Sequence, residues 1–406
     1  MISLAEARDR VVGACPALPP IEAPLADALG LVLAQTVVAG EAVPPFASSA
    51  MDGFAVRAAD TAAAPVELRI VGTLAAGAAV GVEVDTGQAV RIMTGAPLPP
   101  GADAVVMVER TSTSADGAAV TVEVPARPGD HFRPAGEDLR EGDIVFAAGT
   151  RLGPGHIGVL ANLGLTTALV HCLPVVGVLS TGDELVADGS PLGPAQIRDS
   201  NRPALLASLA QSGFATIDLG VARDDEASIE AAIENGLARC DAVITSGGVS
   251  MGDFDYVKAV LQRRGGGAMS WMQVAIRPAK PLAFGLIDGI PVFGLPGNPV
   301  SSLVSFELFA RPALRRMMGL PDDRLDRPRI VAVADEAFAR KPDGKVHFVR
   351  AAAAWHTDGR LHVRSAGAQS SNLLVAMARA DALAVVPDGD GIEAGADVEI
   401  LRLVED

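Results

Sequence analysis

The spacing of apolar and polar positions divides the 406-residue chain into stretches of different period. Ser3 and Glu6 stand three apart ahead of an apolar stripe at Leu4, Ala7, Val11 and Val12, which predicts a capped N-terminal helix. From about residue 46 to 150, short Val-rich runs (VELRIVGTL, AVRIMTG, AVVMVE, AAVTVEV) alternate with turn residues and predict a β-rich module. Residues 151–173 return to a helical pattern. From 174 onward the rhythm is strand, loop, helix. VVGVLST (175–181) is an apolar strand, and ALLASLAQSG is a helix ending at Gly213, with Pro203 at its first position behind Asp199, Ser200 and Asn201. TIDLG, the helix ASIEAAIENGLARC, the strand DAVITS (241–246), the helix DFDYVKAVLQRR, the strands PLAFGLI and IPVFGLP, and a helix opened by Pro299 and running towards Met318 follow. This alternation predicts a doubly wound, mostly parallel α/β sheet with right-handed crossovers. The charged stretch 322–329 reads as a linker to a small C-terminal β domain built from RIVAVAD, VHFVRAAAA, GRLHVRS, ALAVVP and ADVEILRLV.

The expected organisation is therefore an α/β multidomain chain. Residues 1–45 plus 138–173 form a helical linking region, 46–137 a β-rich domain, 174–321 the central α/β domain and 322–406 the C-terminal β domain.

Composition narrows the function. Aromatics are scarce (12 Phe, 2 Trp, 1 Tyr), so the cores rest on Ala, Val and Leu. A net charge of −16 with no basic stripe argues against nucleic acid, and an anionic ligand needs local cations to overcome that field. Cys15, Cys172 and Cys240 are scattered and form no CxxC pair, against a disulfide scaffold or a structural zinc site. Residues 152–182 carry no charged side chain and could span a bilayer by length. Pro154, Asn162 and Pro174 interrupt them, so they read as buried soluble core. No membrane association and a cytoplasmic location are expected, the N-terminus lacking a signal-peptide pattern.

Three loops lie beyond the carboxyl ends of the predicted central strands, where open α/β sheets bind ligands. STGDEL (180–185) offers Ser180, Thr181 and Gly182 as donors and Asp183 and Glu184 as carboxylates. SGGVSMGDFDY (246–256) brings glycine backbone close to a ligand, with Asp253 and Asp255 either functional or merely complementing a helix dipole. GLPGNPVSS (294–302) turns through Gly297, Asn298 and Pro299 into a helix, which by itself reads as capping. Three such glycine-rich loops in one sheet argue for a phosphate-bearing ligand. Arg277 and Lys280 flank Pro278 and Pro281 and form either a fixed pair of cations or a solvated surface pair. Asp52-Gly53 and Thr94-Gly95 read locally as turns. His131, His156, His171, His347, His356 and His362 do not cluster along the chain, and the last three read as β-domain structure rather than metal ligands.

Taken in order, PPFASSAMDGFAV, RIMTGAPLPPGADAVV, RPAGED, STGDEL, IRDSN, DAVITSGGVSMGDFDYVK, RPAKPLAFG and GLPGNPVSS resemble the molybdopterin molybdenumtransferases, the bacterial MoeA proteins, to which the gephyrin E domain is similar. The resemblance runs over nearly the whole chain. It implies a molybdopterin-binding, MogA-like central domain and an elongated homodimer with a cleft shared between subunits. The implied reaction takes adenylylated molybdopterin and molybdate to molybdenum cofactor and AMP with Mg2+. Further implied partners are the adenylyltransferase and molybdoenzyme chaperones.

Carried over by position, the family's functional acids fall on Asp52, Asp138, Glu184 and Asp255, with Thr94 beside them. The pterin nucleotide would meet Ser180, Thr181, Gly182, Ser246, Gly247, Gly248, Ser250, Pro296, Gly297 and Asn298. Molybdate would meet Arg277, Lys280, Pro281, Arg350 and Ser371, and Mg2+ would meet Glu184 and Asp255. This set suits the chemistry, since a tetrahedral dianion needs converging cations and Mg2+ prefers hard carboxylate oxygens.

The sequence departs from the family pattern in three places. Arg277-Pro278-Ala279-Lys280-Pro281 stands for Lys-Pro-Gly-Lys-Pro, Ala47-Ser48 for Asp-Asn, and Phe54 for Tyr. Two other readings share the fold: molybdopterin adenylyltransferase, against which the extra β-rich regions argue, and a non-catalytic scaffold, against which the retained acids argue.

Overall fold

The structure, a computed structural model, describes residues 1–248 and 256–403. Its N-terminal helix, Leu4–Gly13, begins as the sequence predicts, with Ser3 Oγ accepting from the Glu6 N–H at 3.1 Å. Its buried face, Ala7, Val11 and Val12, packs into the core of the central sheet.

Residues 151–173 are only half helical. Pro154–Asn162 is a helix, but Thr167–His171 is a strand paired antiparallel with Pro20–Pro24 and Val32–Leu33. Alternation in TALVH, with Ala168 and Val170 buried, carries this two-residue period, which the uncharged run around it hides. The Val-rich runs form a six-stranded mixed sheet from Gly53–Val56, Val66–Leu74, Gln88–Ile92, Ala104–Met107, Thr111–Thr113 and Ala119–Val122.

The central sheet, numbered from residue 175, contains β1 (Val175–Thr181), α1 (Asn201–Gln211), β2 (Ala215–Ala222), α2 (Glu226–Arg239), β3 (Ala242–Ser246) and α3 (Tyr256–Arg264). It continues with β4 (Ser270–Gln273), β5 (Pro281–Ile287), β6 (Ile290–Leu295) and α4 (Pro299–Ser305). Strand order is β2-β1-β3-β6-β5-β4, parallel from β2 to β6, with β5 and β4 added antiparallel. Successive side chains alternate between two cores. Val176, Val178, Ala242 and Ile244 face α1 and α4, whereas Leu179 and Val243 face α2 and α3. Helices on both faces explain why these strands read as continuous apolar runs. The predicted N1 position of Pro203 shifts: α1 starts at Asn201, with Ser200 before it. Beyond α4, the helical path continues through a wider five-residue turn at Phe306–Ala310 into Arg311–Met317.

In the C-terminal β domain, Val346–Trp355, Leu361–Ser365, Arg329–Ala334, Asp397–Arg402 and Ala382–Val386 pair in that order, and the last pairs back onto the first. The closed ring leaves no free edge among these five strands, a barrel-like arrangement. Phe348, Leu383 and Leu401 from it share the apolar core of α1, α4 and the N-terminal helix.

Candidate active site

The carboxyl ends of β1, β3 and β6 border a cleft of about 630 Å3, at the edge predicted from the sequence. Ser180 and Thr181 end β1 and are buried. Gly182 follows with φ +149, and a Cβ there would lie 2.6 Å from Glu184 Oε2, so the exposed Glu184 carboxylate folds back over glycine. Gly247, at φ +99, approaches β1 so closely that a Cβ would sit 3.1 Å from the Thr181 carbonyl oxygen. A side chain here would have to adopt a left-handed backbone and also push the two loops apart.

One side chain ties these loops together. Asn201 Nδ2 donates to Ser246 Oγ at 2.8 Å and to the Gly297 carbonyl at 2.7 Å, joining the start of α1 to the ends of β3 and β6. Beside it, Ser180 Oγ donates to Asp199 Oδ1 at 3.1 Å, and Arg202 Nε holds the other Asp199 oxygen at 2.8 Å. Asp183 and Asp224 clasp each other, each carboxylate accepting the other's backbone N–H. Asp224, Asn298 and Asn372 complete much of the polar lining, while Pro296 lies buried behind Gly297.

A second cavity, of about 560 Å3, contains Arg277 together with Arg340, His347, Gln369 and Ser370. Burial lowers the His347 pKa against the pull of Asp343, with Arg340 and Arg277 adding to the fall. Asp343, despite a desolvation penalty that raises it, is held down to about 2 by hydrogen bonds from Lys345 and His347.

Arg350 is fully buried on the strand Val346–Trp355. Its Nη2 donates to the carbonyls of Ala368 (2.8 Å) and Ser370 (3.2 Å), while Nε and Nη1 have no hydrogen-bond partner. Burial pushes its pKa below the usual guanidinium value. The segment 368–372 thus links the parts: Gln369 and Ser370 line the second cavity, the Ser371 carbonyl accepts from Val300 N–H on α4, and Asn372 lines the first cleft.

Other expected residues lie apart. Lys280 is exposed, and its carbonyl accepts from Val274; Pro281 opens β5, and neither residue lines these two cavities. Asp52 and Thr94 are hydrogen-bonded to one another in the β-rich part, and Asp138 sits on an exposed turn whose backbone N–H donates to the Val43 carbonyl; none of the three lines the cleft. Ser250, Asp253 and Asp255 lie outside the described residues.

The structure adds Asp199, Asn201, Asp224 and Asn372, to which sequence reasoning gave no role. IRDSN contains the first and second of these but looks like ordinary helix-start punctuation. Nothing local to it signals partners 45 and 96 residues away.

The fold and this cleft define a multidomain protein with a glycine-lined cleft at the edge of a central α/β domain. Residues 2–164 match the family described as MoeA N-terminal region (domain I and II), 177–316 the probable molybdopterin binding domain, and 332–403 the MoeA C-terminal region (domain IV). The chain is 41% identical over 389 residues to molybdopterin molybdenumtransferase 2 of Mycobacterium tuberculosis, covering 94% of each chain. It is 37% identical over 402 residues to the molybdopterin molybdenumtransferase of Haemophilus influenzae, covering 98% of each. Its structure superposes on a molybdopterin biosynthesis MoeA protein from Pyrococcus horikoshii with a TM-score of 0.84 at 31% identity, over 100% of both chains. The chain belongs to the MoeA family of molybdenum cofactor biosynthesis, and it is a transferase. Among the described residues no helix is long and apolar enough to cross a membrane.

Proposed function

We propose that this protein inserts molybdenum into adenylylated molybdopterin, taking the metal from molybdate and releasing AMP. The observation that carries the reading is the link between the glycine-lined cleft and the buried Arg350, made by the single segment 368–372. A pterin nucleotide has phosphates that suit close backbone approach at Gly247, Gly248 and Gly297. An oxyanion needs donors, and Arg350 keeps two N–H-bearing nitrogens unpaired. The curated relatives named for this activity match along nearly the whole chain.

In this reading Asn201 holds the loops at a fixed spacing, and Ser180, Thr181 and Asn298 orient the nucleotide. Arg277, Lys280, Pro281 and Ser371 join Arg350 around molybdate, whose oxo ligands give way to the dithiolene sulfurs of the pterin. As the sulfurs bind, an oxo ligand leaves as water with the two thiol protons, and a water adds across the phosphoanhydride bond to free AMP.

The cleft suits Mg2+ by its donors, because Glu184 and Asp224 both bring carboxylate oxygens to its lining. Glu184, with Asp255, would hold the ion, which supplies charge neutralisation at the phosphates when bound. Asp52, Thr94 and Asp138 lie outside the cleft of their own chain. We assign them to the cleft of a second copy in a homodimer, with the four-part division 1–45 plus 138–173, 46–137, 174–321 and 322–406. The protein works in the cytoplasm, receiving its substrate from the adenylyltransferase and passing product to molybdoenzyme chaperones.

The test is AMP release from adenylylated molybdopterin with Mg2+, with and without molybdate. Release that requires molybdate, and is lost in Glu184→Ala and Asp255→Ala, is the expected result. Binding without release would replace this reading with a scaffold role. Turnover of ATP with molybdopterin instead would make the chain an adenylyltransferase.

A further inference from the structure

Far from the cleft, the C-terminal barrel gathers the histidines that the sequence leaves apart. Strand pairing does this. His362 pairs with Ala354 on one side and Val333 on the other, so His356 and Asp335, each two residues beyond those partners, fall on the same face as His362. The hairpin turn is closed by His356 N–H to the Arg360 carbonyl (3.0 Å) and Gly359 N–H to the His356 carbonyl (3.0 Å). It stacks the two imidazoles at 3.9 Å between ring centres with an angle of 6° between planes.

Asp335 reaches both rings, at 2.6 Å from His362 Nδ1 and 3.8 Å from His356 Nε2. The far nitrogen of His362, Nε2, lies 2.9 Å from Asp358 Oδ2. One donor atom from each of Asp335, His356 and His362 lies within 4.8 Å of the others, the only such trio of His, Cys, Asp and Glu among the described residues.

We propose that Asp335, His356 and His362 bind a borderline transition-metal dication of the Zn2+ class. Two imidazoles and one carboxylate are the ligand types that such an ion selects over Mg2+ or Ca2+. Tetrahedral ligation at about 2.0–2.1 Å asks for donors about 3.3 Å apart. The half-exposed His356 ring, 44% accessible, can swing inward to meet this, and water can take the fourth position. Asp358 completes the arrangement as an outer partner, since a carboxylate on the second nitrogen of His362 fixes which nitrogen faces the metal. Neither element belongs to the nucleotide cleft, and the inference does not depend on the reaction proposed there.

The chelator-stripped full chain, dialysed against Zn2+ alone, provides the test, with His356→Gln and Asp358→Asn as variants. The wild type is expected to hold one Zn2+ per chain more than His356→Gln, and Asp358→Asn to bind this ion roughly 10- to 100-fold more weakly. Co2+ in place of Zn2+ should quench the fluorescence of the exposed Trp355, next to His356, in the wild type but not in His356→Gln. Because His356 lies at the surface, its substitution leaves the barrel core intact, and unchanged circular dichroism verifies this. Equal Zn2+ stoichiometry in wild type and His356→Gln overturns the proposal and leaves the cluster as a network of ion pairs around His362.

Discussion

Asp52 Oδ1 accepts two hydrogen bonds from Thr94, one from its backbone N–H at 2.7 Å and one from its hydroxyl at 2.8 Å. These bonds, the backbone one foremost, hold the Asp52 pKa below the usual carboxylate value although the side chain is exposed. A depressed acid stabilises the fold at pH values above its unfolded pKa, about 3.9, and that contribution disappears as pH falls through the lower folded value. Thr94→Ala deletes the hydroxyl donor and keeps the backbone one. The expected result is an Asp52 pKa raised towards normal without reaching it, measured by carboxyl-carbon NMR titration. Thr94→Pro, which lacks both the N–H and the hydroxyl, should raise it further.

Among the described residues, Asn201 bonds both other cleft loops, and Ser246, whose hydroxyl it meets, is only 3% exposed. Asn201→Ala strands that hydroxyl and should cost about 1–3 kcal/mol in urea unfolding. It should also weaken nucleotide binding in calorimetry, because the glycine loops lose their common anchor. Asn201→Asp replaces the bridging donor with an acceptor facing the Gly297 carbonyl and should be at least as damaging.

Arg350 presents the opposite balance. A buried cation with two unpartnered nitrogens costs stability, so an apolar residue of similar length relieves desolvation while losing two hydrogen bonds to carbonyls. Arg350→Met should therefore unfold within about 1.5 kcal/mol of the wild type. Molybdate affinity should nevertheless fall at least tenfold, since a charge-assisted hydrogen bond contributes about 1.5–3 kcal/mol. A Met variant that binds molybdate normally would remove Arg350 from the anion site.

The alternation of strand and helix from residue 174 was legible because both faces of the sheet are covered, which makes β1 and β3 apolar up to their polar carboxyl ends, Ser180-Thr181 and Thr245-Ser246. The cleft was legible as well, because its glycines sit just past those strands. Two kinds of feature were hidden. Thr167–His171 lies in an uncharged run where a short two-residue alternation is masked by apolar neighbours. The roles of Asn201 and the 368–372 segment depend on contacts between distant stretches, as does the meeting of His356, His362 and Asp335. Local spacing carries no trace of these; strand register gathers the histidines with Asp335, and loop packing makes the other contacts.

Cys15 is fully buried, and desolvation pushes its thiol up to about 12, offset only in part by Arg316. At pH 8 it should remain unmodified by a disulfide reagent such as Ellman's until the chain unfolds, in contrast to free thiols near pKa 8.5. The linkage runs opposite to that of Asp52. A raised thiol pKa gives its full stabilisation below the unfolded value and loses it as pH climbs towards the folded one, so alkaline unfolding should ease from about pH 9 upward. Cys15→Ala should remove this part of the pH dependence, read from urea midpoints at pH 8 and pH 10.

Ala279, where the family pattern has glycine, sits at φ +72 and is 3% exposed. A left-handed conformation costs an L-residue about 1–2 kcal/mol relative to its right-handed form. Glycine escapes that cost, but it gives up a buried methyl and adds about 0.5–1 kcal/mol of unfolded-state entropy to overcome. Ala279→Gly should therefore stabilise the chain by less than about 1 kcal/mol. Its larger effect should fall on the loop between Arg277 and Lys280, whose backbone loses its only methyl constraint at that position. If restricted rotation here presets the two cations for an oxyanion, molybdate binding by Ala279→Gly should weaken while stability rises. Calorimetry and urea unfolding on the same preparation separate the two effects, and a tighter-binding glycine variant would show that alanine hinders the site.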